Sequence, residues 1–208
     1  MTAKATVFEE TYRNYLARIA DIDLLSRAAM LGADIEGPDL LIRLYGSAYR
    51  LTRQGVFKLS GEPVNYALCV VLCCYVLQCP QAAPTLGEWV TYREFKDAGP
   101  LVSYFTANTN KIIETSFSDN QFALENACRG LGGVRFDDGA SHDLSMMFDF
   151  LPRIPVLLRF NDRDDEFPAQ CTILFRQSAE AYLDMECMAI AGTFLAGHLI
   201  RSMQGPDL

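Results

Sequence analysis

The stretch YALCVVLCCYVLQC, residues 66–79, has one amide among fourteen otherwise apolar or aromatic side chains. Crossing a bilayer takes about 20 apolar residues, so this run is too short to span one. It reads instead as a helix buried on all sides. A helix without a polar face cannot sit at a surface, so the rest of the chain has to supply layers that cover it. The expectation is a central buried helix over 63–79, and the flanking sequence is read outward from there.

Upstream, Phe8, Tyr12, Tyr15, Leu16 and Ile19 recur on one helical stripe, and Thr6 with Glu9 has the pattern of a capping box. A second helix, DLLSRAAML, stops at Gly32, which can take the left-handed conformation of a helix end. Together these predict a helical hairpin over 6–31. The period then becomes two: DLLIRLYG sends Leu40, Ile42 and Leu44 to one face, and a further hairpin turns at Arg53-Gln54-Gly55. Strands are therefore expected over 39–60.

Downstream, EWVTYREF alternates like a strand, Gly99-Pro100 opens helices that run to about Gly130, and Gly132-Gly133 closes them. Three apolar runs of strand length, LSMMFDFLP, IPVLLRF and AQCTILFR, fall within 143–176, and a last helix over 184–202 carries the small-residue stripe Ala189, Gly192, Thr193 and Ala196. Helices and strands in clumps rather than strict alternation favour α+β: a single domain, residues 1–208, with antiparallel sheet around the buried helix.

Half of the 208 residues are apolar or aromatic and 21% are charged, as expected of a packed domain, and the formal charge is −8 with no long basic run. Such a field repels phosphate backbones and anionic lipid heads, so neither nucleic acid nor membrane is an expected partner. The N-terminal stretch lacks an apolar secretory core, and a cytoplasmic location is expected. Seven cysteines, four of them in the buried helix, read as reduced thiols packing as small hydrophobes. Cys69 and Cys73 share a helix face, but C-x3-C-C-x4-C matches neither zinc nor ferredoxin spacing, and no metal site is expected.

Phosphate-binding, dinucleotide-binding, nucleophile-elbow and zinc-protease motifs are all absent. Only two histidines exist: His198 lies among apolar residues of the last helix, and His142 stands in a polar turn with Asp137, Asp138 and Asp143 that suits a solvated loop or a cation cluster. The loop RFNDRDDEFPAQCTILF, residues 159–175, concentrates charge between two strands. It lacks the glycine and distant bidentate glutamate of a calcium hand, and consecutive carboxylates cannot all converge on one ion.

Trp89 to Phe95 with Gly99, the Gly132-Gly133 pair, LPRIPVLLRF, DDEFPAQCTILF, SAEAYL and Glu186 resemble, in order, the landmarks of the bacterial and archaeal family called domain of unknown function 3786. The resemblance covers nearly the whole chain and is most specific from Leu151 to Glu186. It implies no catalytic residues, because the family has no established activity. Members are typical of anaerobes, and some carry an iron–sulfur domain similar to one in corrinoid proteins. This sequence contains no such four-cysteine module, so no cofactor is specified.

The resemblance does single out Arg153, Asp165, Glu166, Phe167, Pro168 and Glu186, with two accounts open. In the structural one, Glu166 or Asp165 pairs with Arg153 across the loop mouth, Phe167 plugs the core and Pro168 fixes the next strand. In the functional one, the same groups join Trp89, Arg93 and Glu94 in a pocket for a flat polar ligand, stacking giving affinity and charges giving orientation. The leading expectation is an accessory domain that binds a small cofactor, another ligand or a protein partner, linked by family association to anaerobic corrinoid or iron–sulfur metabolism. The alternatives are an enzyme with Asp165 or Glu166 as general acid/base and Arg153 or Arg93 stabilising an anion, and a structural homo-oligomer.

Overall fold

The computed structural model describes residues 3–137, 139 and 141–203. The 66–79 run forms helix α3, Tyr66–Leu77, and every residue from Leu68 to Val76 is buried. Asn65 caps its start by accepting from the Leu68 amide at 2.8 Å, and Arg27 donates to the last carbonyls, Val76 O at 2.6 Å and Leu77 O at 3.2 Å. Both ends of an apolar helix thus have partners for the groups that the helix itself cannot satisfy. Helices α1 (Ala3–Ala20) and α7 (Met185–Met203) both pack against it.

The first sheet is an antiparallel meander, β1 (Asp34–Glu36), β2 (Asp39–Leu44), β3 (Ser47–Leu51) and β4 (Val56–Lys58), in that order. Leu40, Ile42 and Leu44 are buried together, as the period-two reading requires. The β2–β3 turn is Tyr45-Gly46, both with positive φ, 43° and 76°, the twist that a two-residue hairpin needs. Tyr45 holds this unfavourable conformation with both ends tied: its amide donates to Phe150 O at 3.1 Å and its hydroxyl to Ala191 O at 3.2 Å.

The second sheet has five antiparallel strands in the order β5 (Trp89–Thr91), β9 (Gln170–Arg176), β8 (Ile154–Asn161), β7 (Leu144–Leu151), β6 (Val134–Arg135). One face carries the main core. On the other, Leu157 and Leu174 are buried apart from that core, and the Trp89 and Phe136 rings meet edge to face at 6.1 Å. These rings come from opposite edges and opposite ends of the sheet, more than four strand spacings or ~19 Å apart if it were flat. Strong twist brings the diagonal corners together.

Between the sheets in sequence, α4 (Val102–Phe105), a π-helical turn (Thr106–Asn110) and α5 (Lys111–Phe117) form one irregular helix, followed by α6 (Gln121–Gly130). The π turn faces Gly192 of α7, where a Cβ would come within 2.5 Å of Phe105 and Thr109 atoms. The α+β expectation holds: two antiparallel sheets and a set of helices around a buried one.

Local boundaries differ from expectation in four places. α1 begins at Ala3, ahead of Thr6, and Glu9 pairs with Arg13 instead of capping. The second helix is a 3-10 turn, Leu25–Arg27, plus the four-residue α2, Ala28–Leu31, so α1 finds its apolar partner in α3 and not in a hairpin mate. The 88–95 strand stops at Thr91, because Thr91 and Glu94 form a capping box that turns the chain. The short edge strand β1 has no apolar pattern, all three residues being exposed.

Candidate functional site

The 162–168 loop is a self-contained turn. Asp164 Oδ1 accepts from the Glu166 and Phe167 amides at 2.8 and 2.7 Å, and the Asp164 amide donates to Phe167 O at 3.0 Å. Those amides hold the Asp164 carboxyl below the usual carboxylate range. Asp162 reaches back to accept from the amides of Asp119 and Gln121, at 2.7 and 3.2 Å, tying the loop to the start of α6. Asp165 and Glu166 are exposed, and Phe167 is 60% exposed instead of plugging the core.

Arg153 is not their partner. It stands in the β7–β8 turn, at the opposite end of β8 from the 162–168 loop, a strand of eight residues or ~26 Å. Its guanidinium donates to Ala29 O at 2.8 Å and Met30 O at 3.1 Å, capping α2. Trp89 lies beside Arg176 at the end of β9 far from the loop. The Arg176 guanidinium covers its ring at 4.2 Å, and Phe136 takes its edge. Glu94 accepts from the Thr91 amide and hydroxyl, both at 2.7 Å. Arg93 is exposed beside it. The expected pocket of Trp89, Arg93, Glu94, Arg153, Asp165, Glu166 and Phe167 is therefore not assembled: backbone register fixes its members at separate ends of the sheet.

A different cleft is assembled around Arg153. The C-terminal glycine of α2, Gly32, has φ 65° and lies so close to the β7–β8 turn that a Cβ would meet Pro152 at 3.1 Å and Arg153 at 3.2 Å. Two neighbouring concavities share Asp149 and Pro152. One, about 550 Å³, is lined by Met30, Pro84, Arg153, Ser178 and Tyr182 among others. The other, about 290 Å³, is lined by Gly32, Arg43, Gly46, Leu131 and Gly132. Asp149 stands opposite Pro155 just before a bulge that shifts the β7–β8 register, a device that re-aims a side chain. Asp149 is exposed as a residue, yet desolvation by the strands around it raises its carboxyl above the usual range. Neither Asp149 nor Arg43 has a hydrogen-bond or ion-pair partner among the described residues, although both line the smaller concavity.

In sequence, Asp149 gave a faint signal as the lone acid of the apolar run LSMMFDFLP, where period-two alternation explains it equally well as a solvated position. Arg43 gave none.

The cysteines divide. Cys69 and Cys73 are buried and their thiols are pushed up, to about 11 for Cys69, first of all by desolvation. Among the described residues no third ligand joins them. Three groups do converge elsewhere: the Cys74 and Cys187 sulfurs and an Asp184 carboxylate oxygen lie within 4.8 Å of one another. His198 is half-buried and its ring is drawn down to about 4, chiefly by burial and then by Arg201 and Lys58. His142 approaches Asn161 Oδ1 at 3.3 Å, while Asp138 of its turn falls outside the described residues.

No helix among the described residues is long and apolar enough to cross a membrane. A family model described as a domain of unknown function, DUF3786, matches residues 23–198. No curated protein and no solved structure matches the chain.

Proposed function

We propose that this chain, which belongs to the DUF3786 family, binds a small polar ligand in the cleft around Asp149. The observation that carries the reading is the pair of unpartnered opposite charges, Asp149 and Arg43, on one concavity. Both side chains are exposed at the cleft, so their charged ends are open to a ligand. A ligand bearing a cationic or hydrogen-bond-donating group would supply the missing partner, and an anionic group on the same ligand would meet Arg43. A zwitterion of amino-acid size suits both charges and the volume of the cleft. Asp165 and Glu166, exposed on the 162–168 turn, contribute nothing to this reading as acid–base groups.

The experiment is native mass spectrometry of the full chain, followed by thermal-shift titration with a panel of zwitterionic amino acids. Wild type is expected to retain a small mass or gain melting temperature with a member of the panel, and Asp149→Asn and Arg43→Ala are each expected to lose that effect. Asp149→Asn, at an exposed position, should leave the melting temperature without ligand nearly unchanged. Equal binding by wild type and both variants would remove the cleft from consideration.

A further inference from the structure

Cys74 lies near the C-terminus of α3, Asp184 immediately precedes α7, and Cys187 is in the first turn of α7. They are 110 and three residues apart, brought together where α7 begins over the end of α3. Cys74 and Cys187 are each 1% exposed and Asp184 is half-buried, so the cluster is closed on the thiol side and open on the carboxylate side. The Cys74 sulfur donates to Asp184 Oδ2 at 3.5 Å. The other oxygen, Oδ1, accepts from the Cys187 amide at 2.8 Å, capping the helix.

Helix capping accounts for Asp184 Oδ1 and the Cys74 thiol for Oδ2, but neither calls for a second buried sulfur beside them. A cap needs one carboxylate oxygen and no thiols, yet the second oxygen and two buried sulfurs face one another. The spacing is that of ligands about a small cation. With Zn–S of ~2.3 Å and Zn–O of ~2.0 Å at tetrahedral angles, the sulfur–oxygen edge is ~3.5 Å and the sulfur–sulfur edge ~3.8 Å. The Cys74–Asp184 separation of 3.5 Å matches the first, and all three separations fall within 4.8 Å. The cap bond also fixes the carboxylate orientation, as an outer partner of a metal ligand does.

We propose that Cys74, Asp184 and Cys187 form a binding site for a thiophilic divalent cation, Zn²⁺ in the first instance. Two sulfurs select against Mg²⁺ and Ca²⁺, which take oxygen. Binding converts the two thiols into metal-bound thiolates and releases two protons to solvent, with no change of oxidation state. Water on the half-exposed Asp184 side completes a four-coordinate site. The cation would clamp α7 onto α3 at the core of the fold. Among the described residues this is the one group of three such ligands.

The test uses the full chain purified without oxygen, stripped with a chelator, and titrated with Zn²⁺ and with Co²⁺. The proposal expects one tight equivalent of Zn²⁺, a sulfur-to-cobalt charge-transfer band, and loss of both in Cys74→Ser and Cys187→Ser. The losses should exceed the roughly 10–100-fold that outer partners cost. Asp184→Asn guards against a folding artefact, because asparagine caps a helix as well as aspartate does; it should keep the fold and weaken Zn²⁺ binding. Cys79→Ser, outside the cluster, should bind as wild type does. Equal Zn²⁺ binding by the cluster variants and wild type would overturn the site. So would a folded, reduced wild type that takes up no Zn²⁺ but loses two hydrogens on air oxidation, which would leave a redox pair in its place.

Discussion

His198 and Asp149 show how one physical cause, desolvation, shifts two titrations in opposite directions. An imidazolium and a carboxylate both resist burial, so the His198 ring is drawn down to about 4 and the Asp149 carboxyl is pushed up. For His198 the unfolded chain takes up a proton below about pH 6.5, while the folded chain resists until about pH 4. Its contribution is therefore neutral above pH 6.5 and increasingly destabilising as pH falls through that window. Urea unfolding at several pH values should show the slope between 6.5 and 4 flatten in His198→Gln, by about 1–2 kcal/mol across the window once solvent screening is allowed for. Parallel profiles in the two proteins would assign the slope to other groups.

Elements meet closely where α7 crosses the π-helical turn. Adding a methyl group at Gly192 would place it 2.5 Å from Phe105 Cε2 and from Thr109 Oγ1, and neither can retreat, since both residues are buried. Gly192→Ala should cost about 1–3 kcal/mol, the range for overpacking a filled core. Gly197→Ala, one and a half turns along the same helix, meets only the end of the Arg201 side chain at 3.7 Å. It should be neutral or gain up to about 1 kcal/mol from helix propensity. Chemical unfolding of the pair separates packing from propensity, because the substitution is identical. Similar costs at both positions would dismiss the close-packing account.

For the molecule as a whole, the twist of the five-stranded sheet creates a second buried layer, Leu157 and Leu174 beneath the Trp89–Phe136 contact, outside the main core. Trp89, expected in a ligand pocket, has its ring packed against Arg176 and Phe136. Trp89→Ala should destabilise by about 2 kcal/mol or more through lost burial and ring contact. Phe167→Ala, at an exposed position, should stay within about 0.5 kcal/mol. Equilibrium unfolding of both variants tests this, and a mild Trp89 effect with a large Phe167 effect would reverse the assignment.

Local pattern determined the elements. The apolar run over 66–79, the alternation of Leu40, Ile42 and Leu44 and the glycine stop at Gly32 each reflect a preference that neighbouring residues express by themselves, and each stands where the pattern put it. Local pattern could not place Trp89 against Arg153 or Glu166, because distance along a strand depends on register, and register on pairings made far apart in the chain. For the same reason the loop charges looked like a pocket in sequence, while Asp149 with Arg43 and Cys74 with Asp184 and Cys187 did not. Their partners are separated by roughly a hundred residues. Only the packing of α7 on α3, and of β2 against β7, brings them together.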